Sequence, residues 1–70
     1  MAMQEKMQIA MQSDEINNRG ANAHRNDDLS NAIKYFEQAL TIMPNNDDAL
    51  KNLKICYRQI GNFQKVEEME

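Results

Sequence analysis

The sequence predicts an all-α chain, and three observations predict it. Valine occurs once, at Val66, and threonine once, at Thr41, while Ala, Gln, Glu, Lys, Met and Leu are plentiful; that balance favours helix over strand. Apolar residues recur at helical spacing, most clearly at Leu29, Ala32, Ile33, Phe36, Ala39 and Leu40. The punctuation between such runs is helical too: Asn and Asp in short polar links, Pro44 after one run and Gly61 after another.

Each element follows from its own residues. Met3, Met7, Ala10 and Met11 form one apolar face of a leading helix, Met3 to Gln12. The face loses register at Asp14 and Glu15, and Ser13 is a good N-cap, so a second helix is expected over Asp14 to Arg25. One helix running through Ser13 is the alternative. The second helix carries Ile16, Gly20 and Ala23 on one side and ends at "RNDD", where Asn26 or Asp27 can take the left-handed conformation. Asp28 then caps a third helix, Leu29 to Ile42. Pro44 disfavours helical geometry at Met43 and has no N–H to give the helix behind it. Asn46 or Asp47 caps a fourth helix, Asp48 to Ile60, whose face is Ala49, Leu50, Leu53, Cys56, Tyr57 and Ile60. Gly61 supplies its left-handed end, and Asn62 caps a fifth, "FQKVEEME".

Composition excludes several functions. The net charge of −3 comes with dispersed Lys and Arg, so no basic stripe is offered to nucleic acid. The longest apolar run is three residues, too short to span a membrane, and "MAMQEKMQIAMQ" lacks the apolar stretch of a signal peptide. Cys56 is the sole cysteine, which rules out an intrachain disulfide and fits a reducing compartment. A soluble, cytoplasmic protein is expected.

The order of parts has a period near ~34 residues, and its residues resemble the tetratricopeptide repeat family. "LSNAIKYFEQALTIMPNN" looks like that family's second helix and exit: small Ala32 near the helix start, aromatic Phe36, small Ala39, closing Pro44. Gly20 matches the small residue of the opening helix. In the next unit Leu50, Leu53 and Tyr57 fit the packing positions, and "IGNF" resembles the family's turn. The resemblance divides the chain into a leading Met-rich helix (1–12), a first repeat (13–46) and a partial second (47–70). It covers about residues 13 to 70. Departures are Arg19 at a place for Leu, Ala23 at one for Tyr, Asp27 for Gly, Lys54 for a small residue and Val66 for Ala.

The resemblance implies antiparallel helix-turn-helix pairs in an α-α superhelix, without catalysis, whose opening helices line a concave groove for a peptide or helix of a protein partner. The groove positions would be Asp14, Asn17, Asn18, Ala21, His24 and Arg25, then Asp48, Lys51, Asn52, Ile55, Arg58 and Gln59. Of these, Asn17, Asn18, Ala21, Arg25, Lys51, Asn52, Ile55 and Arg58 are the expected partner contacts. The clamp some members use for a peptide's terminal carboxylate is not supported, because Ile55 and Asp48 stand at two of its places. Repeat units bury their faces only by stacking. The chain therefore reads as an excerpt of a longer repeat protein, with homo-oligomerisation, or the leading helix acting as a cap, as the alternatives.

The residues that could carry chemistry read otherwise. His24 lacks a nucleophile partner and reads as a polar residue near a helix end. Cys56 reads as a small buried hydrophobe. "NDD" (26–28) and "NNDD" (45–48) lack the Gly and Glu of a calcium loop and read as turns and caps. No cofactor, metal site or enzymatic activity is expected. The methionine stripe reads as packing of a terminal helix, a frayed leader, or a partner contact.

Overall fold

A computed structural model describes residues 2–70, with side chains from Met7 onward; the side chain of Met3 lies outside the described residues. Four helices follow in order: α1 (Ala2–Arg25), α2 (Leu29–Ile42), α3 (Asp47–Gln59) and α4 (Phe63–Met69). α1 packs along α2, α2 along α3, and α3 along α4, with a further contact between α1 and α3.

The expected helix break at Ser13 does not occur. α1 runs straight through it, so one helix replaces the two expected. Ser13 is fully buried, and its hydroxyl donates to the Ala39 carbonyl of α2 at 2.8 Å instead of capping a helix start. A serine so employed no longer competes for its own backbone, so the helix can propagate.

The remaining boundaries have local causes. Asp27 is the left-handed residue, at φ 60°, that ends α1. Asp28 caps α2 by accepting from the Asn31 N–H at 3.3 Å. Met43, before Pro44, is extended as the proline requires. Asn46 caps α3 by accepting from the Ala49 N–H at 3.1 Å, which starts the helix one residue earlier than expected. Gly61 closes α3's far end at φ 79°, and Asn62 caps α4.

The core is Ala32, Phe36, Leu53, Cys56, Tyr57 and Val66, with Ala23, Leu29, Ile33, Leu40 and Met69 packed around it. Gly20 meets this core edge-on: a Cβ there would stand 2.5 Å from Phe36 Cε1. The α1–α2 crossing is therefore set by a glycine against an aromatic ring. Ala39 and Ala49 are also fully buried. Two residues expected on α3's buried face differ. Leu50 is half-buried, and Ile60, beyond the last turn of α3, is 51% exposed.

The departure at Arg19 has a structural reason. Counted ~34 residues on, Glu15, Arg19 and Asn22 of α1 correspond to Ala49, Leu53 and Cys56 of α3. The α3 set is buried, with Leu53 in the core beside Ala32 and Phe36 of α2. The α1 set is exposed, and Glu15 and Arg19 form a surface ion pair at 3.9 Å. The same helix position is apolar where another helix covers it and polar where water does.

Candidate groove between α1 and α3

Polar side chains tie α1 to α3 at three levels. At the lowest, Asn46, the cap of α3, donates through Nδ2 to Ser13 Oγ at 2.7 Å and to Asp14 Oδ1 at 3.2 Å. Next, Asn52 Nδ2 donates to Asn17 Oδ1 at 3.1 Å. At the top, His24 Nε2 and Gln59 Oε1 are hydrogen-bonded at 2.6 Å. The partners ascend together along both helices, so α1 and α3 run parallel. Among the described residues, no buried side-chain polar atom lacks a hydrogen-bond partner.

Between the upper two ties lies a cleft of about 130 Å³, lined by Ala21, His24, Arg25, Phe36, Asn52 and Ile55. Phe36 reaches it from α2, which lies beneath both helices. The small Ala21 and the amide of Asn52 leave the space open, and Ile55 is 39% exposed beside it. A larger concavity of about 470 Å³ lies along α1 alone, where Met11, Asp14 and Asn18 contribute to its wall.

The eight residues expected in the groove divide by what they touch. Ala21, Arg25, Asn52 and Ile55 come together in the cleft. Asn18 is exposed along α1. Asn17 is buried and holds Asn52, so its amide is engaged within the chain. Arg58 reaches back to Glu70 at 3.1 Å, with both side chains about half exposed. Lys51 is exposed one turn into α3. Neither Arg25 nor Lys51 is ion-paired among the described residues.

Other reactive groups are structural. Cys56 is fully buried, and burial pushes its thiol pKa up, away from a reactive thiolate. Tyr57 donates to Glu37 Oε1 of α2 at 2.9 Å. Its pKa rises to about 12, from burial first and then from the hydrogen bond and charge of Glu37, with Cys56 adding a lesser charge effect. No group of His, Cys, Asp and Glu among the described residues is arranged to hold a metal ion. No helix among them is long and apolar enough to cross a membrane.

Three features escaped the sequence reading: the Ser13–Ala39–Asn46 junction, the His24–Gln59 bond and the Tyr57–Glu37 bond. A signal for two of them existed. Ser13 and Asn46, Asn17 and Asn52, and His24 and Gln59 are polar pairs 33 to 35 residues apart, the separation expected of neighbouring opening helices.

A tetratricopeptide repeat family model matches residues 23–69. Comparison with curated proteins and with solved structures finds no match.

Proposed function

The chain belongs to the tetratricopeptide repeat family, and on that premise we propose that the face shared by α1 and α3 binds a peptide or helix of another protein. Repeats of this family are generally protein-interaction modules and typically non-catalytic. The observation that carries the reading is the cleft, where Ala21, Arg25, Asn52 and Ile55 meet over Phe36. An engineered apolar cavity of ~150 Å³ holds benzene, so 130 Å³ suits one apolar side chain of a ligand. Asn18, Lys51 and Arg58 would contact flanking ligand residues. Asn17 would act by holding Asn52 in position. In the same reading residues 13–46 and 47–70 are consecutive units, and residues 2–12 extend the first helix.

The test is a peptide selection from a random display library against the native chain. Selected peptides should lose affinity for Ala21→Arg and Ile55→Arg, which fill the cleft from partly exposed positions and leave helicity by circular dichroism intact. Undiminished binding to both variants would refute the site.

A second reading, self-association, is favoured by one observation: Ile60 and Phe63 are 51% and 62% exposed on either side of the α3–α4 turn. Sedimentation decides it. Association should rise with concentration and vanish in Phe63→Glu, whereas a concentration-independent monomer excludes it.

A further inference from the structure

The groove is electrically polar along its length. At one end α1 finishes with Arg25 and α3 places Arg58 in its last turn, with Asp27 and Asp28 in the turn that follows α1. At the other, Asp14 stands beside the start of α3, where Asp47 and Asp48 occupy the first turn. These charges also complement the helix dipoles at α1's end and at both ends of α3. Because α1 and α3 run parallel, like charges gather at the same end. Asp27 and Asp28, just past Arg25, and internal pairing both blunt this polarity. Arg58 is held by Glu70, and Lys51 stands one turn from Asp47 and Asp48. Arg25 remains without an ion pair among the described residues, at the rim of the cleft.

We propose that the α1–α3 groove selects a peptide segment carrying one apolar side chain between a carboxylate and an ammonium, with the apolar group in the cleft, the carboxylate at Arg25 and the ammonium at Asp14 and Asp48. This rests on the groove reading above and specifies its ligand. The spacing follows from helix rise. Arg25 is four residues from Ala21, about 6 Å, and Asp14 seven residues the other way, about 10 Å. An extended ligand advances about 3.3 Å per residue. Its carboxylate therefore falls two residues from the apolar side chain, and its ammonium three residues beyond on the other side. Amides fill the groove between the charges: Asn18 is exposed on α1, and Asn52 is bonded to Asn17. An extended backbone could meet such amides without a further charge. Charges placed this way fix orientation and exclude ligands of one sign more than they add raw affinity.

The test titrates the isotope-labelled full chain with two capped synthetic peptides, following backbone amide shifts. The first carries glutamate, leucine and lysine at its first, third and sixth positions, with serine elsewhere. The second has glutamine in place of both charged residues. The proposal expects shifts centred on Ala21 and Ile55, tighter binding of the charged peptide, and a weakening of up to about fivefold in Arg25→Gln that the neutral peptide does not show. Asp14→Asn should weaken the charged peptide similarly. Both residues are exposed, and because Asp14 also accepts from Asn46 at 3.2 Å, circular dichroism and thermal unfolding of Asp14→Asn accompany the titration. Equal affinity of the two peptides at Ala21 and Ile55 would overturn the charge polarity while leaving the groove reading standing. Absence of shifts at those residues with either peptide would overturn the polarity and count against the groove as well.

Discussion

Replacing Gly20 with alanine sets two effects against each other, and the structure decides between them. In an exposed helix interior the change stabilises by about 0.8–1 kcal/mol through helix propensity. Here the new methyl would stand 2.5, 2.7 and 3.0 Å from three Phe36 ring atoms. Ordinary carbon contacts lie near ~3.5–4.0 Å, so the ring or the helix must retreat by about 1 Å. Phe36 is 1% exposed and hemmed in by the core, and overpacking of that kind costs typically ~1–3 kcal/mol. The clash wins, for a net loss of up to about 2 kcal/mol. In a chain of 70 residues that lowers Tm by roughly 4–8 °C per kcal/mol. Urea and thermal unfolding followed by circular dichroism measure it. Phe36→Leu in the same background should remove much of the added penalty, giving a coupling of at least about 0.5 kcal/mol in a double-mutant cycle. A Gly20→Ala chain more stable than the parent, or strict additivity with Phe36→Leu, would refute the glycine–aromatic crossing.

The other predictions are simpler. Ala32→Leu, at a fully buried position, should cost about 1–3 kcal/mol by overpacking; unchanged thermal unfolding would refute the α1–α2 packing. Ser13→Ala removes the hydroxyl that serves the Ala39 carbonyl and Asn46; a loss of about 1 kcal/mol is expected after the better helix propensity of alanine, and a gain in stability would show that the junction contributes nothing. Tyr57 keeps its proton in the folded state to about pH 12 against an ordinary value of 10.0. Its contribution is thus complete below about pH 10 and lost as pH rises through about 12. Urea midpoints of the parent should fall relative to those of Tyr57→Phe across that window, and parallel curves would contradict the Tyr57–Glu37 hydrogen bond.

The second hairpin half, Leu29 to Pro44, was legible because local and tertiary demands agree there. Ala32, Phe36 and Ala39 lie on one stripe and are all buried, and Asp28, Met43 and Pro44 mark its ends by backbone chemistry alone. Ser13 was misread for the opposite reason. A serine before two acids has the local signature of a helix start, yet its hydroxyl is satisfied by a carbonyl 26 residues away, which no local pattern reveals. Met7 and Met11 keep helical spacing but stay 64% and 67% exposed, because α2 is 14 residues to α1's 24 and cannot cover them. Periodicity reports which residues share a face, not whether a neighbour reaches it. The groove shows the same limit. The family resemblance put Asn17, Asn52 and Arg58 on the groove-lining helices, but Asn17 and Asn52 hold each other and Arg58 holds Glu70. Which polar residues stay free for a ligand depends on pairs made across helices.

The measurement that bears most directly on the whole account is an amide-shift map of the full chain with a peptide selected against it. The account predicts that the largest changes cluster on Ala21, Arg25, Asn52 and Ile55, with Lys34 and Gln38 on the exposed side of α2 unmoved. A map centred on α2, or on Ile60 and Phe63, would contradict the claim that α1 and α3 form the binding face.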